Sequence, residues 1–311
     1  MKPSIVVVGS LNMDFVVTTA HLPAPGETVL GRNFQMIPGG KGANQACAAG
    51  RLTGSSPVRM VGRVGYDVFA DHLRASLAAA GVEVSAVMGT RSQPTGIAMI
   101  SVDEGGQNSI IVASGANFAF EAKEVEGTRP SFRGAAFALF QLETPVDTVE
   151  AAMKMAHSEG ARTILDPAPA RPLAVSLLAQ VDILTPNESE ACMLLGRHAA
   201  RVSLADAPEL AKAVRTLVPA GAVVLKLGDQ GCLWFDGERE IHVPGFPVTC
   251  VDSTAAGDTF NGALAVALSE GCPVEPALRF ANAAAAISVT RMGAQASVPT
   301  RKEVDAFLSS H

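Results

Sequence analysis

The chain has 311 residues, of which 48% are hydrophobic and 17% charged, and its 24 Lys and Arg against 30 Asp and Glu leave a formal net charge of −6. An apolar fraction of this size excludes a disordered chain. An acidic chain with no Lys/Arg block lacks the electrostatic footprint for nucleic acid or an anionic membrane, so neither is expected as a partner.

In chain order, Met1-Lys2-Pro3-Ser4 leads directly into the strand-like Ile5 to Val8. That run is too short for a signal segment or a membrane span, and a cytoplasmic protein is expected. Next comes Gly9-Ser10-Leu11-Asn12-Met13-Asp14. Asn12 and Asp14, two apart, point to one side of an extended chain and suit two hydroxyls of a polyol, although a turn explains them as well. Residues 12 to 35 read as short strands and turns.

Pro38-Gly39-Gly40-Lys41-Gly42-Ala43-Asn44-Gln45 then opens a helix over 43–51. It fits neither a P-loop, which needs Gly where Gln35 stands, nor a dinucleotide fingerprint, which fails at Gln45. A second helix is expected over 69–80. Residues 95 to 114 return to short strands, with 98–102 and 109–112 extended and Asp103-Glu104-Gly105-Gly106 as a hairpin tip.

From here strands at 137–140, 163–165, 183–184 and 222–227 alternate with helices at 148–158 and 207–217. The pattern predicts an α/β fold whose mainly parallel sheet is sandwiched by helices, with 12–35 and 95–114 forming a small β-sheet lid. With no internal repeat and no low-complexity linker, residues 1–311 are expected to form a single domain. Ligands of such sheets bind beyond the carboxyl ends of the strands. Glu143 follows one strand, and Thr185-Pro186-Asn187-Glu188-Ser189-Glu190 follows another. Asn187 and Glu190 share a helix face, where they can order the water shell of a magnesium ion, form a capping box, or do both.

Asp252-Ser253-Thr254-Ala255-Ala256-Gly257-Asp258-Thr259-Phe260-Asn261-Gly262 is the sharpest signal. Small residues before a helix let an anion approach its free N–H groups. Asp258 in the first turn is either a cap or a functional carboxylate. The sequence has no H-E-x-x-H, G-x-S-x-G, H-R-D or D-F-G motif. The five cysteines are spread out and read as reduced thiols in or near the core.

The two glycine-rich motifs, 39–45 and 252–260, together resemble the paired signatures of the ribokinase-like (PfkB) carbohydrate kinases, and the resemblance spans nearly the whole chain. It implies transfer of the ATP γ-phosphoryl group to the 5-hydroxyl of D-ribose, with 2-deoxyribose or another small furanose or nucleoside as the alternative acceptor. By that similarity Asp258 is the base, and the N–H groups of Ala255, Ala256, Gly257 and Asp258 form the anion hole. Asn12, Asp14, Gly40, Lys41, Asn44, Glu143 and Asp258 face the sugar. Asn187, Lys226, Gly228, Gly231, Gly257 and Asn282 lie on the nucleotide side. Lys226 and Asn282 depart from the family, in which many members carry Thr or Ser, and His. Glu190 orders magnesium water. A potassium site falls to Asp252 and Ser297 with the carbonyls of Thr254, Ser288, Arg291 and Gly293. The resemblance also implies a homodimer in which the lids cover each other. A sugar- or nucleotide-binding regulator and a dinucleotide-dependent oxidoreductase remain the readings from other classes.

Overall fold

In the computed structural model, which describes residues 3–311, strands and helices alternate along the chain. Met1 and Lys2, which precede the strand-like run Ile5 to Val8 in the sequence, lie outside the described residues. The first third comprises β1 (Ser4–Val8), β2 (Asn12–Thr19), β3 (Arg32–Gly39), α1 (Lys41–Leu52), β4 (Val58–Val64), α2 (Val68–Ala79), β5 (Val82–Gly89), β6 (Gly96–Asp103) and β7 (Asn108–Ala113). The middle comprises α3 (Arg129–Phe132), β8 (Ala135–Phe140), α4 (Val146–Ser158), β9 (Arg162–Leu165), α5 (Val175–Leu178), β10 (Ile183–Leu184), α6 (Glu188–Leu194) and α7 (Ala207–Arg215). The last part comprises β11 (Ala222–Lys226), β12 (Cys232–Phe235), β13 (Glu240–Val243), α8 (Ala256–Ser269), α9 (Val274–Ser288) and α10 (Arg301–Ser310).

Nine strands form one sheet in the order β13-β12-β11-β10-β9-β8-β1-β4-β5. All its neighbours are parallel except β11/β12 and β12/β13. Helices cover both faces, so the strands read as continuous apolar runs rather than alternating ones. Within β1, Ile5 and Val7 join the core on one side with α1, α8 and α9, while Val6 and Val8 join the core on the other with α4 and α7. Each such side chain contributes about 1.5–3 kcal/mol by leaving water. A charge at Val7 would therefore sit unpaired in a dry layer and break it.

A separate four-stranded sheet, β3-β2-β6-β7, is built from the two segments that interrupt the alternation. Its hairpin turn lies where expected, with Gly106 N–H donating to Asp103 O at 3.0 Å. Two expectations need correction. The sequence reading assigned nothing to β4, β5, β12, β13, α9 or α10. The cysteines also divide, with Cys47, Cys192 and Cys232 buried but Cys250 and Cys272 exposed, because the last two lie in loops rather than in packed elements.

Candidate active site

The chain leaves β1 toward β4 on one side and later returns to β8 on the other, so a crevice opens between the carboxyl ends of β1 and β8. The segments 9–12, 141–143, 166, 186–187 and 226 all issue from strand ends on this side, and the amino termini of α1 and α8 meet them there. Two glycines make the first meeting possible. A Cβ on Gly42 would lie 2.6 Å from Gly9 C and Ser10 N, and one on Gly40 would lie 2.8 Å from Asn12 N. Gly40 also has φ +90, a conformation that side chains disfavour. With no side chain in the way, α1 starts directly against the 9–12 loop. Glu143 joins the two, accepting from Ser10 Oγ at 2.5 Å and from Lys41 N–H at 3.1 Å.

α1 and α8 also cross closely, because a Cβ on Gly262 would lie 2.7 Å from Ala48 Cβ and Gln45 O. That approach brings two amides of α1 onto the first turn of α8. Asp258 accepts from Asn44 Nδ2 at 3.0 Å and from Gln45 Nε2 at 3.0 Å. Ala255, the residue before α8, has φ 59 and provides no side-chain cap. Ala256 N–H donates to Ser253 O at 3.2 Å, whereas no acceptor among the described residues takes the N–H of Gly257 or Asp258. Two free donors at a helix amino terminus, beside a residue without a side chain, make an anion cradle.

The crevice is crowded with charge. Burial, then the Glu143 and Asp258 charges, push the Asp14 carboxyl up to about 7. Burial also raises Asp258; Lys41 opposes it, Asp166 adds to it, hydrogen bonds from Asn44 and Gln45 oppose it, and the result is about 6. Burial alone would depress Lys41, but the carboxylates of Asp258, Asp166, Glu143 and Glu190 hold its ammonium above the ordinary value. Lys41 is thus a fixed cation in an acidic crevice where Asp14 and Asp258 titrate above the usual carboxylate range. Asn44 Oδ1, buried, has no protein partner, so the site presents an unused acceptor beside the carboxylates.

On the other flank, Asn187 and Glu190 form a reciprocal capping box, Asn187 N–H to Glu190 Oε2 and Glu190 N–H to Asn187 Oδ1, each 2.8 Å. Lys226 Nζ donates to Asp166 Oδ1 at 3.1 Å. A Cβ on Gly257 would lie 3.3 Å from the same Nζ, so this ammonium sits at the anion cradle. Gly228 is at φ 59 in open space, while Gly231, at φ 90, packs against 243–245. Asn282 Nδ2 grips that segment through Val243 O at 3.0 Å and Pro244 O at 3.2 Å. Packing accounts for Gly231 and Asn282 without a ligand.

Below α8, Asp252 accepts from Thr254 N–H at 2.9 Å and Gly293 N–H at 2.8 Å, tying two loops edge to edge. Burial would raise its carboxyl, but hydrogen bonds from Thr254 and Gly293 carry it below the usual value. Ser288 and Ser297 are fully buried beside these loops, and Ser297 Oγ donates to Ala294 O at 2.8 Å. Ser288 O accepts Arg291 N–H at 3.1 Å, turning 288–291 back on itself. Among the described residues no three His, Cys, Asp or Glu cluster so as to hold a metal.

Sequence reasoning did not single out Gln45, Asp166 or Gln141. Gln45 bridges Asp258 to Asp166, whose Oδ2 accepts its Nε2 at 3.1 Å, and Gln141 Nε2 anchors Gln45 Oε1 at 2.6 Å. Asp166 follows β9 directly, at a strand end where ligands bind, and that signal was open to reading.

Residues 2–301 match the pfkB family of carbohydrate kinases. A ribokinase of Bacillus subtilis is 42% identical over 98% of this chain and 99% of its own. A deoxyribokinase of Salmonella typhimurium is 34% identical over 98% of each. The structure of Arabidopsis thaliana ribokinase complexed with ribose and ATP superposes with a TM-score of 0.88, at 36% identity, over 99% of both chains. With its crevice at the switch point, an anion cradle on α8 and a family match along almost its entire length, the chain belongs to the pfkB family of carbohydrate kinases.

Proposed function

We propose that the protein phosphorylates D-ribose at O5 with ATP, giving ribose 5-phosphate and ADP. The observation that carries this reading is Asp258, a buried carboxylate held by two amides in the same first turn of α8 as the free N–H groups of Gly257 and Asp258. Its companions suit a polyol: Asn12, Asp14, Asn44 and Glu143 around the crevice, with Gly40 and Lys41 at its floor. Full-length similarity to ribokinases supports ribose as the acceptor.

In the reaction the ribose O5 attacks the γ-phosphorus, the new O5–P bond forms as the bond to the bridging oxygen breaks, and ADP leaves. Asp258 takes the O5 proton. The transition state is loose, so placement and charge neutralisation supply most of the acceleration and the base assists late. The Gly257 and Asp258 N–H groups face the transferred phosphoryl, Ala255 completes the loop around it, and Ala256 N–H supports the turn through Ser253. Lys226 supplies positive charge at the same cradle. Asn187, Gly228, Gly231 and Asn282 shape the nucleotide flank, the last two by holding 243–245.

Magnesium fits beside Glu190, whose Oε1 is left free by the capping box, and would be held there through water. Bound, it neutralises phosphate charge, and a site with one carboxylate plus substrate phosphates is usual for it. A potassium ion fits the all-oxygen set of Asp252, Ser297 and the carbonyls of Thr254, Ser288, Arg291 and Gly293, a hard-cation environment. It would fix the loops that lead into α8.

The small sheet acts as a lid that excludes water from the phosphoryl group. Its exposed apolar side chains support a homodimer in which two lids cover each other. No helix among the described residues is long and apolar enough to cross a membrane, and the proposed setting is the cytoplasm.

ADP release measured over D-ribose, 2-deoxyribose, fructose and adenosine, in potassium and then in sodium, tests substrate and cation together. Ribose should have the highest kcat/KM, and sodium should lower the rate. A higher kcat/KM for 2-deoxyribose would move the assignment to that sugar, the acceptor named for the Salmonella relative.

A further inference from the structure

Asn117 lies beyond β7, 105 residues from Asn12, and is 1% exposed. All of its amide is engaged. Leu11 N–H donates to Asn117 Oδ1 at 2.9 Å, Asn117 Nδ2 donates to Leu11 O at 3.1 Å, and Nδ2 also donates to Asn12 Oδ1 at 2.8 Å. Backbone polarity fixes this order. Leu11 N–H can only donate, so Asn117 must turn its oxygen toward it, which leaves its nitrogen facing Leu11 O and the side chain of Asn12. Asn12 must then turn its own oxygen back to Asn117. Its Nδ2 has no acceptor among the described residues and is left for the crevice.

Gly96 pairs with Asn12 in the small sheet, and a Cβ there would collide with both Asn12 Oδ1 and Asn117 Nδ2. The glycine leaves room for the hydrogen bond between the two amides. A buried amide pair with its polarity set by the main chain has one low-energy arrangement, since flipping Asn12 sets N–H against N–H and flipping Asn117 sets its oxygen against the oxygens of Leu11 and Asn12.

We infer that Asn117 is a positioning residue for the sugar: it locks the Asn12 amide so that only N–H donors face the substrate, and the group recognised there is a hydroxyl oxygen or another acceptor. This rests on the ribose-kinase reading. That sugar hydroxyl accepts a hydrogen bond from Asn12 Nδ2 and donates one to a carboxylate, for which Asp14 stands two residues along the same strand. An analogue lacking the hydroxyl leaves both protein groups unpaired.

Kinetics of Asn117→Asp, Gly96→Ala, Asn12→Ala and the double variant Asn117→Asp/Asn12→Ala test this, with Tm recorded for each. Asn117→Asp keeps the acceptor for Leu11 N–H but sets an oxygen against Asn12, forcing that amide to flip. KM for ribose should rise about 10-fold or more, while KM for ATP stays within about twofold and kcat changes little. The double variant should bind ribose no worse than Asn12→Ala, since Asn117 acts through Asn12. Gly96→Ala breaks the same bond without altering either amide, and reads the outcome if Asn117→Asp does not fold. Unchanged KM for ribose, or effects that multiply in the double variant, would overturn the inference. Absence of ribose turnover by the wild type would strike the ribose reading instead.

Discussion

In the proposed mechanism Asp258 meets opposing demands: it must be buried to lie against the phosphoryl group and ionised to take a proton. Burial pushes its carboxyl up to about 6, and Lys41, Asn44 and Gln45 keep it from rising further. The expected consequence is a kcat/KM that is level above neutral pH and falls steeply below about 6, where the base of the free enzyme is protonated. A profile flat down to pH 5 would contradict it. Stability follows the same groups in the opposite sense. Asp14 and Asp258 both titrate above their unfolded value of about 4, so the folded state takes up protons first as pH falls. The ligand-free protein should gain stability between about pH 7 and 4 and lose it as pH rises through that window. Urea midpoints at pH 5 and 8 measure it. Much of this site is legible residue by residue: Asp258, Asn44, Lys41 and Glu143 all lie in motifs or just past apolar runs. Asn117 is not, because its contact with Asn12 exists only once β7 has returned the chain to the β1–β2 loop.

At the scale of elements, the starts of α1 and α8 carry the site, and they are built in different ways. α1 needs glycine for space. Gly42→Ala would place a methyl group on the main chain of Gly9 and Ser10 and should destabilise the protein by about 1–3 kcal/mol or more through overpacking. α8 instead begins on an alanine in the left-handed region, which costs that residue about 1–2 kcal/mol relative to glycine. Ala255→Gly should therefore leave stability unchanged or raise it by up to about 1 kcal/mol, the gain being trimmed by the added freedom of the unfolded chain. Urea denaturation of the pair separates the two cases. Both motifs announced helix starts in the sequence. By contrast β4 escaped notice because Arg59 and Arg63 interrupt its apolar run. Arg59 reaches Ser4 Oγ, Ser131 O and Arg133 O, and Arg63 pairs with Glu124 and lies over Phe120. Edge strand β5 escaped because Glu83 and Ser85 give it a polar side.

For the whole molecule, the small sheet is the part left unfinished. Every residue of edge strand β7 is exposed, Ile111 to 67%, and Phe34 of β3 is 61% exposed. An apolar sheet with two open edges needs a cover. A second copy placed by a twofold axis is the economical one, since it buries the same patch twice. Sedimentation at micromolar concentration should give a dimer. Ile111→Lys combined with Met99→Glu should shift it to monomer and raise KM for ribose, because the proposed lid would lose its support. A monomeric wild type would contradict this. The alternation of strands and helices is readable from the sequence because both faces of the main sheet are dry. A cover over the small sheet is expected from the family resemblance and not from the residues themselves, because its exposed side chains look like ordinary core residues until the fold leaves them outside.

In the proposed mechanism one carboxylate on α8, that of Asp258, activates the sugar hydroxyl. The initial rate of ADP release with saturating D-ribose and ATP, compared between wild type and Asp258→Asn, tests it most directly. The asparagine keeps the size of the side chain and the backbone N–H that lines the anion cradle but cannot accept the proton. The kcat of Asp258→Asn should fall by a factor on the order of 10²–10⁴, with both KM values changed by no more than a few-fold. A variant that turns over at the wild-type rate would contradict it.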